Sequence, residues 1–369
     1  MDLPPFLLDH WMAAHEFASP PIPYNLASST GPRWTVDAVL ALGDAPAAIG
    51  DIAIGYAPPE GSRALREAIG AFHGVDPDWV IVTTGASEGL SILLCLAARP
   101  RANILLPSPA FPAFEAMANA WGIGARYYAL ARETGYAQRA ADVLAATDQD
   151  SVLALVNTPH NPTGSVMARD QIATLAAALE TRRVPLIVDE VYHPLYFGAD
   201  APASAATIVN TIVISDMSKA LSLPGLRLGW IIDADAGRRK RIIDARSYFT
   251  ISSSPILEAI AVHALCNHEA VIARLFAVAS TNLANLAALM EEAGDTLAWA
   301  PPAGGTVAFP WFRDGRDSRS FCQALATAGV LVAPGDCFAM PSSMRIGFGQ
   351  QADGYAEAID IIRRTLRTA

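Results

Sequence analysis

Short, uninterrupted apolar runs separated by helix-like stretches constrain the fold of this chain more than any other feature. Trp79-Val80-Ile81-Val82-Thr83, Asn103-Ile104-Leu105-Leu106, residues 125–129, Val152-Leu153-Ala154-Leu155-Val156, Val184-Pro185-Leu186-Ile187-Val188, Thr211-Ile212-Val213-Ile214 and residues 226–232 all read as strands. A strand with one wet face alternates apolar and polar residues, whereas a continuous apolar run is buried on both faces. Helical stretches such as 63–72 and 87–98 lie between the runs. The pattern predicts an α/β fold, a mostly parallel seven-stranded sheet sandwiched by helices. After about residue 255 a long Ala/Leu-rich helical stretch runs to Glu292, followed by short strand-like segments at 305–311 and 344–348. These predict a smaller α+β domain. The expected division is a large domain over 46–265 and a discontinuous small domain built from 1–45 plus 266–369. Residues 1–45 read as Pro-rich and irregular at first, then weakly helical around 34–42.

Composition narrows the function classes. Of the 369 residues, 52% are hydrophobic and 17% charged, which excludes intrinsic disorder and suggests surface hidden by self-association. The net charge of −10 argues against a nucleic-acid binder, since phosphate neutralisation needs clustered Lys and Arg. The run Arg238-Arg239-Lys240-Arg241 reads as a solvated helix face. Cys95, Cys266, Cys322 and Cys337 show no CxxC spacing and read as reduced thiols. No apolar run approaches the roughly 20 residues of a membrane span, and no cationic start precedes an apolar stretch at the N-terminus. A cytoplasmic protein without membrane or nucleic-acid partners is expected. The basic residues comprise 24 Arg and 2 Lys. A Lys retained against such a bias is a candidate for chemistry that Arg cannot perform, namely imine formation with a carbonyl. Lys219 stands alone after a strand-like run and is that candidate.

Ligands of an open parallel sheet bind at the carboxyl ends of its strands, so the turns there should carry the chemistry. Thr84-Gly85-Ala86-Ser87-Glu88-Gly89 joins a strand to a helix. It reads as a phosphate cup at a helix N-terminus, as an ordinary turn with Ser87 as N-cap, or, through its G-x-S-x-G spacing, as the nucleophile elbow of a serine hydrolase. Asn157-Thr158-Pro159-His160-Asn161-Pro162-Thr163-Gly164 holds two Asn amides in a fixed turn, donors suited to a phenolate-type oxygen. Asp189-Glu190-Val191-Tyr192 ends another strand, where a buried carboxylate calls for a cation. Ser215-Asp216-Met217-Ser218-Lys219 is followed by Arg227, which could clamp a phosphate bidentately. An aldehyde for Lys219, a ring nitrogen for Asp189, a phenolic oxygen for Asn161 and Tyr192, and a phosphate together specify pyridoxal phosphate.

These motifs, NPTG, DEVY and SKALSLPGLRLGW, resemble in order and identity those of class I/II aminotransferases, fold-type I pyridoxal-phosphate enzymes, from Tyr56 to Gly347. The resemblance implies that Lys219 carries the cofactor as an imine and moves the substrate proton, that Asp189 pairs with the pyridinium nitrogen, and that Asn161 and Tyr192 bond the ring hydroxyl. It implies that Phe111 stacks on the ring, that Ala86, Ser87, Ser218 and Arg227 contact the phosphate, and that Tyr56 reaches the phosphate of a neighbouring subunit in a homodimer. Arg345 then clamps the substrate carboxylate, with Asn161 beside it. Asp216 stands where the family usually has Ser or Thr. A carboxylate beside a phosphate predicts that this side chain turns away or that the loop is rebuilt. Tyr248 replaces the arginine of dicarboxylate-specific relatives, which favours neutral donors unless Arg246 takes that place. The side chain of the substrate should be read by Tyr24 to Trp34, Arg246 to Ser254 and Gly304 to Thr306.

The reaction expected is transamination between an L-amino acid and a 2-oxo acid. C–S β-elimination or decarboxylation on the same scaffold is the alternative. A serine hydrolase using Ser87 is remote, because it leaves Lys219 and the NPTG turn unexplained. A metal site is not expected: no HExxH occurs, and His263 and His268 are five apart, off one helical face.

Overall fold

The computed structural model describes residues 4–44 and 49–368. Its centre is a seven-stranded sheet: β1 (Val80–Thr83), β2 (Asn103–Ser108), β3 (Gly124–Ala129), β4 (Ser151–Asn157), β5 (Leu186–Asp189), β6 (Thr211–Asp216) and β7 (Gly229–Asp233). The spatial order is β1-β7-β6-β5-β4-β2-β3. All neighbouring pairs are parallel except those made by β7, which runs antiparallel to both β1 and β6. Successive residues of each central strand enter opposite cores: Val80, Val82, Val188 and Val213 pack on one face, and Ile81, Ile187, Ile212 and Ile214 on the other. Two covered faces are the reason the strands read as unbroken apolar runs. Each such Val or Ile contributes about 1.5–3 kcal/mol by leaving water.

Outside this sheet the secondary structure departs from expectation in two places. The N-terminal stretch is not merely irregular: α1 spans Leu7–Glu16 and buries Leu8 and Trp11. The Trp11 indole donates to the Val332 carbonyl at 2.9 Å, tying α1 to the C-terminal part of the chain. Leu, Met and Trp at irregular spacing after Pro4-Pro5 gave little periodic signal, and this tertiary anchor supplies what propensity lacks. The long helical stretch is two helices, Pro255–Cys266 and His268–Glu292, broken at Asn267. Contrary to expectation, the second is long and apolar enough by composition to cross a membrane. Its Val271, Leu275, Ala279, Leu286 and Leu289 are buried along one face.

The smaller sheets join both ends of the chain. Tyr24–Asn25 pairs in parallel with Val330–Leu331, and β8 (Met344–Gly347) lies between Val307–Ala308 and Ala333–Pro334. The expected domain boundary at residue 46 lies outside the described residues, and the other falls at the end of helix Pro255–Cys266.

Gly229 shows how tightly the site end of the sheet is built. It opens β7 between Thr83 and Asp216. A Cβ there would stand 2.5 Å from the Gly85 carbonyl carbon and 2.6 Å from the Ala86 nitrogen. These are backbone atoms that cannot swing aside. Gly229→Ala should therefore lower stability by about 1–3 kcal/mol, the usual cost of overpacking, read as a reduced midpoint in chemical or thermal unfolding.

Candidate active site

The carboxyl ends of β4, β5 and β6 deliver Asn157, Asp189 and Asp216 to one edge of the sheet, beside the turn that follows β1. Asn157 is structural: its amide donates to the Asp189 carbonyl (3.2 Å) and its Oδ1 accepts from the Asn161 N–H (2.8 Å). This pins the turn that presents Asn161. Asn161 Oδ1 in turn accepts from Arg345 Nη1 at 3.1 Å, leaving its amide nitrogen to the cavity it lines.

Asp189 is 6% exposed, and the Val191 N–H donates to its Oδ1 at 3.1 Å. Among the described residues it has no ion-pair partner. Burial raises its carboxyl from 3.8 to about 7, with Asp216 and Glu190 pushing the same way and the Val191 N–H and Lys219 opposing. The Tyr192 hydroxyl is buried without a hydrogen bond of ordinary geometry. Burial pushes it up to about 12, against Arg345 and the nearby Ser29 and Thr306 hydroxyls, which draw it down. Lys219 Nζ donates to Ser29 Oγ at 2.8 Å. Burial lowers its pKa, assisted by Arg345 and Arg227 and resisted by Asp216 and Asp189.

Arg345 projects from β8 and is 3% exposed. Its Nη2 donates to the Ala27 carbonyl at 2.7 Å, its guanidinium lies over the Phe338 ring, and its Nε has no partner among the described residues. A guanidinium held on two sides with Nε and a further N–H on each Nη still available is preorganised for an anion.

At the helix following β1, α2 (Ala86–Ala97), the N-cap is Gly85 in a left-handed conformation (φ 81°), not Ser87, and no side chain caps the helix. Ser87 is instead an exposed first-turn residue facing the cavity. The Asp216 side chain does not turn away. Its carboxylate accepts from the Ser218 N–H (2.8 Å) and, more weakly, from the Ala86 N–H (3.5 Å). Those two amides hold it in the cup. Arg227, in a left-handed conformation, donates to the Pro224 carbonyl at 3.1 Å and places its guanidinium beside Gly85.

Two cavities meet here. One of about 200 Å³ is lined by Ser87, Phe111, Asn161, Asp189, Tyr192, Ser218, Lys219 and Arg227, among others. A larger one of about 860 Å³, roofed by α1, shares Phe111 and Lys219 with it and adds Ser29 and Arg345. Phe111 packs edge-on against Phe6 and Phe114. Tyr56, 84% exposed, lines neither cavity. Tyr248 is equally outside them, and Arg246 is buried against the Pro59 carbonyl and Ser253 rather than facing the cleft. Ser87 has no histidine partner among the described residues. Ser29 and Thr306 fall within the stretches Tyr24 to Trp34 and Gly304 to Thr306 expected to read the substrate, but their places beside Lys219 and Tyr192 were not expected. The hydroxyl run Ser28-Ser29-Thr30 was the available signal.

The residues fit pyridoxal phosphate by their unmet needs. Asp189 is a buried carboxyl lacking a cation, Tyr192 a buried hydroxyl lacking a partner, and Lys219 an amine of lowered pKa between them. Ser87, Ser218 and Arg227 at the start of α2 suit a phosphate, although Asp216 shares that space.

A family model described as aminotransferase class I and II matches residues 25–362. Valine–pyruvate aminotransferase of Mycobacterium tuberculosis is 32% identical, over 97% of this chain and 95% of its own length. Capreomycidine synthase of Streptomyces vinaceus is 29% identical over 79% and 75%. A crystal structure of an aminotransferase from Mycobacterium tuberculosis superposes with a TM-score of 0.88 at 28% identity, covering 100% of this chain and 98% of the other.

Asp189 gives the cofactor-free protein a distinctive pH response. Its folded pKa of about 7 exceeds the unfolded value of 3.8, so the folded chain binds the proton more tightly. Stability should therefore fall as pH rises from about 4 to 7, by at most about 4 kcal/mol. Asp189→Asn does not titrate and should lack this slope. Urea unfolding of both cofactor-free proteins at pH 5 and pH 8 checks the difference.

Proposed function

The chain belongs to the aminotransferase class I and II family, whose members work with pyridoxal phosphate, and from that premise we propose that it transfers an amino group between an L-amino acid of neutral side chain and a 2-oxo acid. The arrangement that carries this reading is Lys219 at the junction of the two cavities, with the unpaired Asp189 on one side and the free Arg345 Nε on the other. The bound cofactor supplies an aldehyde carbon for amines and a ring that takes up the electron pair released when a bond to the substrate Cα breaks. Every other task falls to side chains.

Asp189, ionised once it faces a ring N–H⁺, keeps that ring cationic. Asn161 and Tyr192 would donate to the ring oxygen, Phe111 would cover the ring, and Ser87, Ser218 and Arg227 would hold the phosphate, the Ala86 amide expected there being taken by Asp216. Arg345 docks the substrate carboxylate, which orients the Cα–H bond across the ring. Lys219, whose pKa burial lowers, takes and returns the Cα proton.

The wall of the larger cavity favours a neutral donor. Leu8, Met12, Trp34, Val39 and Ile260 line it, and its acidic residues Asp9 and Glu16 oppose a second carboxylate. Its one other cation, Arg33, lies 3.7 Å from Glu16. The name of the valine–pyruvate relative agrees with such a donor. The same chain should act as a homodimer in which Tyr56 serves its partner's phosphate. Ile54, Tyr56, Tyr248 and Ile251 are all exposed, and the Ala57 N–H to Ser252 Oγ bond (3.2 Å) joins their two segments into one patch. Sedimentation should find a dimer, and Tyr56→Phe should weaken cofactor retention.

A single turnover without acceptor tests the reaction. Transamination yields one 2-oxo acid per cofactor and no free ammonia, whereas β-elimination releases ammonia continuously and decarboxylation releases CO₂. Lys219→Ala should bind cofactor and lose transfer activity. Arg345→Lys should keep the cofactor spectrum but react with amino acids about 10²-fold more slowly, since a bidentate, charge-assisted contact and its orientation are both lost. Aspartate as the best donor would overturn the neutral-donor assignment.

A further inference from the structure

The hydroxyl of Ser29 lies 2.8 Å from the amine of Lys219, and the surrounding backbone is built to keep it there. Ser29 sits in the segment Asn25–Gly31, far from Lys219 in sequence. The Asn25 side chain accepts from the Ala27 and Ser28 amides (3.1 and 3.2 Å), and the Ser28 and Thr30 hydroxyls bond each other at 2.9 Å. The Arg345 guanidinium grips the Ala27 carbonyl, and the Thr306 hydroxyl donates to the Ser29 carbonyl at 2.9 Å. Gly347 lets β8 press against the same segment: a Cβ there would stand 2.0 Å from the Ser28 oxygen. Ser29 is itself buried, so its hydroxyl is not a surface group that happens to be near.

We propose that Ser29 is a positioning residue that aims the Lys219 amine, an inference that rests on the reading of Lys219 as the proton carrier. A lysine amine turns freely on a four-carbon stem, and holding it costs entropy. When the neutral amine donates one N–H to Ser29 Oγ, its lone pair is restricted to directions away from Ser29. Ser29 lines the larger cavity but not the smaller one, so it holds the amine at their junction, where the Cα proton would be exchanged. The charged groups that act on the amine are Asp216 and Asp189, which favour its protonated form, and Arg345 and Arg227, which oppose it. None of these is an alternative acceptor at hydrogen-bond distance among the described residues.

The test exploits the scarcity of lysine. Lys219 and Lys240 are the only two in the chain, so limited acetylation of the full-length cofactor-free protein across a pH series, read by peptide mass spectrometry, titrates Lys219 with Lys240 as reference. A protonated amine gains more from an acceptor than a neutral one. Ser29→Ala should therefore increase the Lys219 acid ionisation constant about tenfold, while Ser29→Thr, which keeps the hydroxyl, should stay near wild type. In the holoenzyme, Ser29→Ala should retain its cofactor absorbance but slow the single half-reaction about tenfold and enlarge the isotope effect of α-deuterated donor, and Ser29→Thr should restore both. Ser29→Cys, nearly isosteric with a poor acceptor, carries the same comparison if the alanine variant does not fold. An unchanged Lys219 titration, or a threonine variant as impaired as alanine, would overturn the proposal. If the wild type converts no donor, the aminotransferase reading fails while the titration still decides the Lys219–Ser29 contact.

Discussion

Asp189 closes a strand that is buried on both faces, and a carboxyl group in that place has no good solution within its own chain. The group is buried, the cation that acts on it, Lys219, is itself held to Ser29, and the neighbouring Asp216 and Glu190 are acidic. A carboxyl whose pKa has risen to about 7 suits a ligand that brings its own positive charge, as the proposed function requires. Tyr192 and the Arg345 Nε are unsatisfied in the same way. Such groups are costly as architecture and meaningful as a binding site, and the cofactor class follows from what each of them lacks.

The phosphate end is built differently. Gly229 brings β7 against the Gly85–Ala86 peptide, so the start of α2 is held by backbone contact, with the Asp216 carboxylate on its Ala86 amide. Asp216 then takes two of the amides that a phosphate would be expected to use. Under the proposed function, binding there would depend correspondingly more on Arg227 and on the hydroxyls of Ser87 and Ser218. The departure from the family pattern thus places a carboxylate, held by two amides, where the family usually has Ser or Thr.

The two ends of the chain meet at the cofactor for a packing reason. α1 and the Asn25–Gly31 segment cannot bury their own apolar residues and do so against the C-terminal sheets, through Trp11, Leu26 and the strand pairing of Tyr24–Asn25 with Val330–Leu331. That docking roofs the larger cavity and delivers Ser29 to Lys219. The substrate side of the site is therefore a product of long-range assembly, whereas the cofactor side grows from consecutive strand ends of one sheet.

That division also separates what the sequence determined from what only the tertiary structure decided. Unbroken apolar runs specified the seven-stranded sheet, and residues just beyond them, Asn161, Asp189, Tyr192, Lys219 and Arg227, could be picked out because strand ends are local features and their chemistry is unusual for such positions. The antiparallel course of β7, α1, the orientation of Asp216 and the Lys219–Ser29 contact were not legible. Each depends on groups far apart in the chain approaching within a few ångströms, and a local pattern of hydrophobicity carries no record of which distant backbone will supply the missing hydrogen bond.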